Sequence, residues 1–112
     1  MRAGRRSRRL MIGRLWHGWT TRENADRYEE LVRTKVLPGF YAVSGYKGAY
    51  LLRRDGEGRT EFVTLTLFED MEAVRAFAGE DYEAAVVPPE ARELLSSFDR
   101  RSAHYEVVYR QE

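Results

Sequence analysis

His17 and His104 are the two histidines of a 112-residue chain that has no cysteine. Imidazole is the side chain poised to exchange protons near neutral pH. A general base or oxyanion donor at His17, with His104 as an assisting group, is the chemistry these positions offer. Together with Glu106 they also have the composition of a two-histidine, one-carboxylate metal set. Strand parity opposes that set, because His17 alternates with Leu15 and Met11 while His104 alternates with Glu106 and Val108. No metal is expected. Trp16, Tyr50, Phe68, Phe77 and Tyr82 are placed to line a pocket for a small apolar or aromatic ligand, although aromatics at strand and helix spacing also build cores. Glu69-Asp70 reads as a solvated capping pair.

The elements that must position these side chains follow from periodicity. Residues 11–19 read as a strand ending in Trp16-His17-Gly18-Trp19. A Thr20-x-x-Glu23 capping box then opens a helix whose buried stripe is Ala25, Tyr28, Val32 and Val36, widened by Leu31 and stopped by Pro38-Gly39. A second strand over 46–54, a flexible connection over 55–58 and a third strand over 60–68 form a hairpin. Asp70 caps a helix that turns Met71, Val74, Phe77 and Ala78 inward before Gly79. Residues 82–86 read as a helical turn. Pro88-Pro89 breaks it and opens a short helix burying Leu94, Leu95 and Phe98, and a closing strand spans 102–109. The order predicts an α+β, ferredoxin-like βαββαβ fold, with a four-stranded antiparallel sheet and helices on one face.

Two strands are apolar on both sides. Val63, Leu65 and Leu67 read as the core face of the third strand, yet Phe62, Thr64, Thr66 and Phe68 stand opposite instead of charges. In the first strand Leu15 and Trp19 oppose Ile12 and Trp16. A sheet covered on one side alternates apolar with polar, so a second copy of the chain is expected to cover the other face. If Tyr105 and Val107 face the helices, His104 points toward that dimer side. His17 is then the stronger single candidate.

Composition bounds the rest. One small domain is expected over residues 11–112, with 43% apolar and 12% aromatic content sufficient for a core. Residues 1–10 read as a disordered basic tail, and Met11 stands where a strand begins. The net charge of +1 includes five arginines before Met11, which leaves the remainder at −4. That balance argues against nucleic acid, as does the lack of an RNA-recognition signature on the third strand. Without cysteine there are no disulfides, thiolate metal sites or cysteine nucleophiles. No apolar run approaches the ~18 residues of a membrane span, and no glycine-rich dinucleotide fingerprint is present. A cytoplasmic protein is expected.

Ser44-Gly45-Tyr46-Lys47-Gly48-Ala49-Tyr50 and Leu67-Phe68-Glu69-Asp70-Met71-Glu72-Ala73-Val74-Arg75-Ala76-Phe77 resemble the corresponding segments of antibiotic-biosynthesis-monooxygenase-like domains in the dimeric α/β-barrel superfamily. The resemblance covers nearly all of residues 11–109. It implies a homodimer packed sheet to sheet and a cofactor-independent monooxygenase acting on a quinol, phenol or anthrone-like substrate. Such a substrate lies flat in an apolar cavity, loses a proton, and its anion reduces dioxygen directly. His17 would then be base or oxyanion donor, with Phe68 and Phe77 as walls and Tyr50 or His104 assisting. In haem-degrading relatives the axial histidine falls near Val86 or Val87, so the resemblance implies no haem ligand at that position. The superfamily also holds non-catalytic stress and ligand-binding proteins, and a dimeric binding module is the alternative.

Overall fold

The computed structural model describes residues 10–112, so all but Leu10 of the basic tail expected over residues 1–10 lies outside the described residues. The chain runs β1 (Ile12–Thr21), α1 (Arg22–Leu31), a π-helical turn (Val32–Val36), α2 (Leu37–Gly39), a 3-10 turn (Phe40–Ala42), β2 (Tyr46–Asp55) and β3 (Arg59–Phe68). It continues through α3 (Met71–Ala78), α4 (Pro89–Leu94), β4 (Leu95–Phe98) and β5 (Ala103–Glu106). The sheet is antiparallel in the order β2-β3-β1-β4, and β5 also pairs with β1. This is the ferredoxin-like arrangement, with helices on one face.

Four local expectations are corrected. Thr21, not Thr20, caps α1, accepting from the Asn24 backbone N–H at 3.2 Å; Thr20 stays in β1 opposite Thr60 and both are fully buried. Pro38 does not stop the helix. The wide turn before it, closed by Leu37 N–H onto Val32 O, absorbs the bond that a mid-helix proline removes, and the helical path runs on to Ala42. Residues 82–86 form no helix; a turn closed by Ala84 N–H onto Asp81 O leads into an extended bridge between Ala84 and Arg101. The last helix ends at Leu94, and Leu95–Phe98 is already strand. The β1 edge is therefore filled by two short strands, β4 against Gly18–Thr20 and β5 against Ile12–Leu15.

The faces are the reverse of the sequence expectation. Phe62 and Phe68, both fully buried, face the helices. Val63, Leu65 and Leu67 stand on the open face beside Leu15, Tyr50 and Leu52, with Leu65 registered between Leu15 and Tyr50. The covered side carries two separate apolar clusters. One gathers Ala25, Tyr28, Val32, Phe62 and Ala91, and the other Ile12, Phe68, Ala73 and Val74. Along β3 the inward residues read Phe62, Thr64, Thr66, Phe68, so each phenylalanine anchors one cluster and the threonines lie between.

Gly45 fixes how the second cluster closes. Its φ of +86° is a left-handed conformation that favours glycine, its carbonyl accepts from Glu69 N–H at 2.7 Å, and a Cβ there would lie 2.6 Å from Ala73 Cβ. Gly45→Ala is expected to lower stability by about 2–5 kcal/mol, combining a left-handed backbone penalty with overpacking. In urea denaturation, Ala73→Gly in the same chain should recover the packing part. A double variant with no coupling would show that this contact does not matter.

Candidate active site

Between the two clusters the helices stand off the sheet. A cavity of about 60 Å³ lies there, widening to a cleft of about 560 Å³ when the space at its mouth is included. Its floor is Arg14 and Trp16 from β1 and Thr64 and Thr66 from β3. Tyr28 and Val32 of α1, then Val36, Leu37 and Phe40 beyond the π-helical turn, form one wall. Phe77, the 86–88 segment, Ala91 and Ser102 form the other. The continuation of the helix past Pro38 is what brings Phe40 over the floor, where its ring meets Phe77 edge-on at 4.8 Å. Mostly apolar clefts with a few placed polar groups are the usual form of small-molecule sites.

Arg14 is the polar centre. It is 5% exposed, and its guanidinium lies 5.4 Å from the centre of the Phe77 ring. One Nη1 hydrogen bond goes to the Tyr82 carbonyl and the other meets His104 Nε2 at 3.0 Å, while Nη2 donates to the Ala84 carbonyl at 2.9 Å. Burial presses its pKa below the ordinary value, though a guanidinium stays charged. Since Nε2 of His104 faces a donor, its proton sits on Nδ1, which is buried with no partner among the described residues. Burial first, then the Arg14 charge, lowers the His104 pKa, opposed by Glu83. The imidazole is a neutral prop for Arg14 on the adjacent strand.

The sequence candidates divide between the two sheet faces. Trp16 and Phe77 line the cleft. His104 lies on the covered side, beside Arg14 and edge-on to Tyr82 at 5.3 Å. Phe68 is on that side too, but buried in the core and not in the cleft wall. Tyr82 contributes its carbonyl and its ring, not a cleft surface. Tyr50 is on the open face and 56% exposed. His17 is likewise on the open face, stacked on Trp19 at 5.9 Å, its Nδ1 bonded to Asp99 Oδ2 at 2.8 Å and its Nε2 4.0 Å from Glu61. It is not a cleft group, and the His17/His104/Glu106 set cannot close. The expected side of His104 is also reversed, because Val63, Leu65 and Leu67 are not the helix-facing residues.

Asp99 joins the faces. Its carboxylate holds His17, while its carbonyl accepts from Trp16 Nε1 at 2.7 Å and so fixes the indole on the cleft floor. Sequence reasoning passed over Arg14, Thr64 and Thr66. The available signals were the parity of Arg14 with Ile12 and Trp16, and the Phe-x-Thr-x-Thr-x-Phe pattern of β3.

The depressed His104 pKa has a measurable consequence. The folded state resists a proton that the unfolded chain accepts near pH 6.5. This contribution is complete above that pH and is lost as pH falls through the lower folded value. The urea midpoint should drop between pH 7 and 5, and His104→Gln should flatten the drop. An unchanged slope in the variant would count against the assignment.

The sequence model of the family described as Antibiotic biosynthesis monooxygenase matches residues 11–97. No curated protein matches the chain. Among solved structures, a candidate antibiotic biosynthesis monooxygenase from Bacillus cereus is similar at 14% identity and TM-score 0.65, over 92% of this chain and 98% of that one. A second candidate from Nitrosomonas europaea is similar at 11% identity and TM-score 0.66, over 91% and 94%. SnoaB, a cofactor-independent oxygenase from Streptomyces nogalater, is similar at 20% identity and TM-score 0.55, over 92% and 96%. At these identities the structures share the fold.

Proposed function

Because the chain belongs to the antibiotic biosynthesis monooxygenase family, we propose that it oxygenates a small planar aromatic of quinol, phenol or anthrone type, without a bound cofactor. The observation that carries this reading is the cleft itself: aromatic walls around one buried guanidinium. In this reading a flat ring lies against Trp16 and the edge-on Phe40–Phe77 pair at the mouth, with its oxygen-bearing edge turned to Arg14. Arg14 faces the oxygen on which negative charge develops, where a preorganised donor in a dry site acts most strongly. The electron-rich anion passes one electron to dioxygen and recombines with it at carbon. For an anthrone the resulting hydroperoxide loses water, so that CH₂ and O₂ become C=O and H₂O with no external reductant. SnoaB, described as a cofactor-independent oxygenase, supports this reading by its shared fold.

One observation favours the binding-module alternative. Among the described residues lining the cleft there is no carboxylate and no imidazole, so nothing in the walls requires turnover. Oxygen uptake separates the two. On a panel of quinols and anthrones the wild type should consume dioxygen, and Arg14→Gln should lower kcat/KM by about 10²- to 10³-fold. Ligand binding with no uptake on any substrate would leave the binding module standing.

A second copy is proposed to cover the open face, as the apolar run of Leu15, Val63, Leu65 and Leu67 is flanked by exposed Tyr50, Leu52 and Tyr105. Specific contacts of this kind bury more than about 1,000 Å². Leu65→Glu, at the centre of that face, should convert a dimer to monomer in sedimentation at micromolar concentration. A wild type that sediments as a monomer would overturn the assembly. Among the described residues no helix is long and apolar enough to cross a membrane.

A further inference from the structure

We propose that the cleft takes its ligand as a preformed anion, a flat aromatic phenolate or enolate seated on Arg14, and that the ligand's proton goes to bulk water and not to a side chain. The inference rests on the reading of the cleft as the substrate site. It concerns the protonation state of what enters, which that reading leaves open.

The first support is the charge balance around Arg14. A buried ion is normally paired with an opposite charge, yet no carboxylate among the described residues lies at ion-pair distance from this guanidinium. Its three acceptors are the Tyr82 and Ala84 carbonyls and the His104 imidazole, all neutral. A guanidinium has five N–H donors. Three are taken, which leaves Nε–H and one Nη2–H without an acceptor among the described residues. The site therefore carries one uncompensated positive charge and has two donors to spare, the complement of an anionic oxygen.

The second support is the lack of a base. His104 cannot serve, because its accepting nitrogen is committed to Arg14, and protonation there would set two cations 3.0 Å apart. The other ionisable groups around the pair are equally unavailable. Glu83 is turned to Arg101, at 3.2 Å from Nη2. Tyr82 presents its ring to His104 and to Arg75. Tyr28, in the cleft wall, has its pKa pushed up to about 12 by burial, which keeps it a neutral phenol. With no base among the described residues of the walls, the ligand loses its proton to solvent before it seats: ArOH gives ArO⁻ and a proton in bulk, and the guanidinium favours the anion that then binds.

Two nitronaphthols of different acidity provide the test, since phenol and phenolate forms differ in absorption. Bound to the wild-type protein, each dye should ionise at least ~1 pH unit below its free value, a tenfold preference for the anion, and the two midpoints should differ as the free dyes differ. The methyl ether of either dye should bind at least tenfold more weakly than the phenolate. Arg14→Gln should abolish the shift; if that variant does not fold, the ether comparison on wild type decides alone. A bound dye that keeps its phenol spectrum, an ether that binds as tightly, or one midpoint shared by both dyes would overturn the proposal, the last by revealing a protein base. Anion binding without oxygen uptake would sink the oxygenase reading and leave this inference intact. Uptake with binding of neutral phenol would do the reverse.

Discussion

The guanidinium of Arg14 is the constraint around which the covered side is built. It reaches from β1 to the carbonyls of Tyr82 and Ala84 and to the imidazole of His104, so one side chain joins the sheet, the turn after α3 and the last strand. A cation in this position is costly unless its hydrogen bonds are made. The turn and β5 supply three of them, and in return their paths are set by where the cation stands. The same group prevents the two apolar clusters from merging, because a charged floor cannot be sealed under aliphatic side chains. The cleft exists because the core is interrupted at Arg14 and at the threonine pair.

The helical wall shows a comparable interruption. A regular helix from Arg22 would meet Pro38 with a missing donor and a steric conflict one turn earlier. The π-helical turn at Val32–Val36 relaxes that conflict and carries the chain on to Phe40. π-turns inside helices are frequently found at functional sites, and here the residues on either side of the turn, Tyr28 and Phe40, both face the cleft. Cleft wall and helix irregularity are one feature seen at two scales.

Element order, the hairpin and the Asp70 cap were legible in the sequence because each depends on local spacing or on a residue type that favours one geometry; the contact between Gly45 and Ala73 was not, because it joins two segments distant in the chain. Which side of the sheet faces in was not legible. Val63, Leu65 and Leu67 are more apolar than Phe62, Thr64, Thr66 and Phe68, and hydrophobicity alone ranks them as core. The inward face is less apolar because its middle is a cleft floor, and the outward face is more apolar than a solvated sheet would be. The same inversion misplaced His17 and His104 together. An isolated arginine in a strand ordinarily reads as solvent-exposed, which is why Arg14 escaped notice; its parity with Ile12 and Trp16 was the contrary indication. The cap slipped by one residue for a related reason, since Thr20 is claimed by the sheet opposite Thr60, leaving the exposed Thr21 free to turn the chain.

His17, displaced from the cleft, keeps a definite place in the architecture. The bond from its Nδ1 to the Asp99 carboxylate, with Asp99 N–H returned to the His17 carbonyl at 3.0 Å, locks the chain just after β4 onto β1. The carbonyl of the same aspartate orients the Trp16 indole on the other side of the sheet. A strand displays neighbouring residues to opposite faces, and Trp16 and His17 use that alternation so that one residue on the adjoining chain holds both. The tie is made where β4 ends and β5 has not begun, the one stretch of the β1 edge that ladder hydrogen bonds leave least defined. A side-chain clamp at this gap does what a longer continuous strand would do elsewhere, tying the chain to β1 between β4 and the Ser102 that lines the cleft.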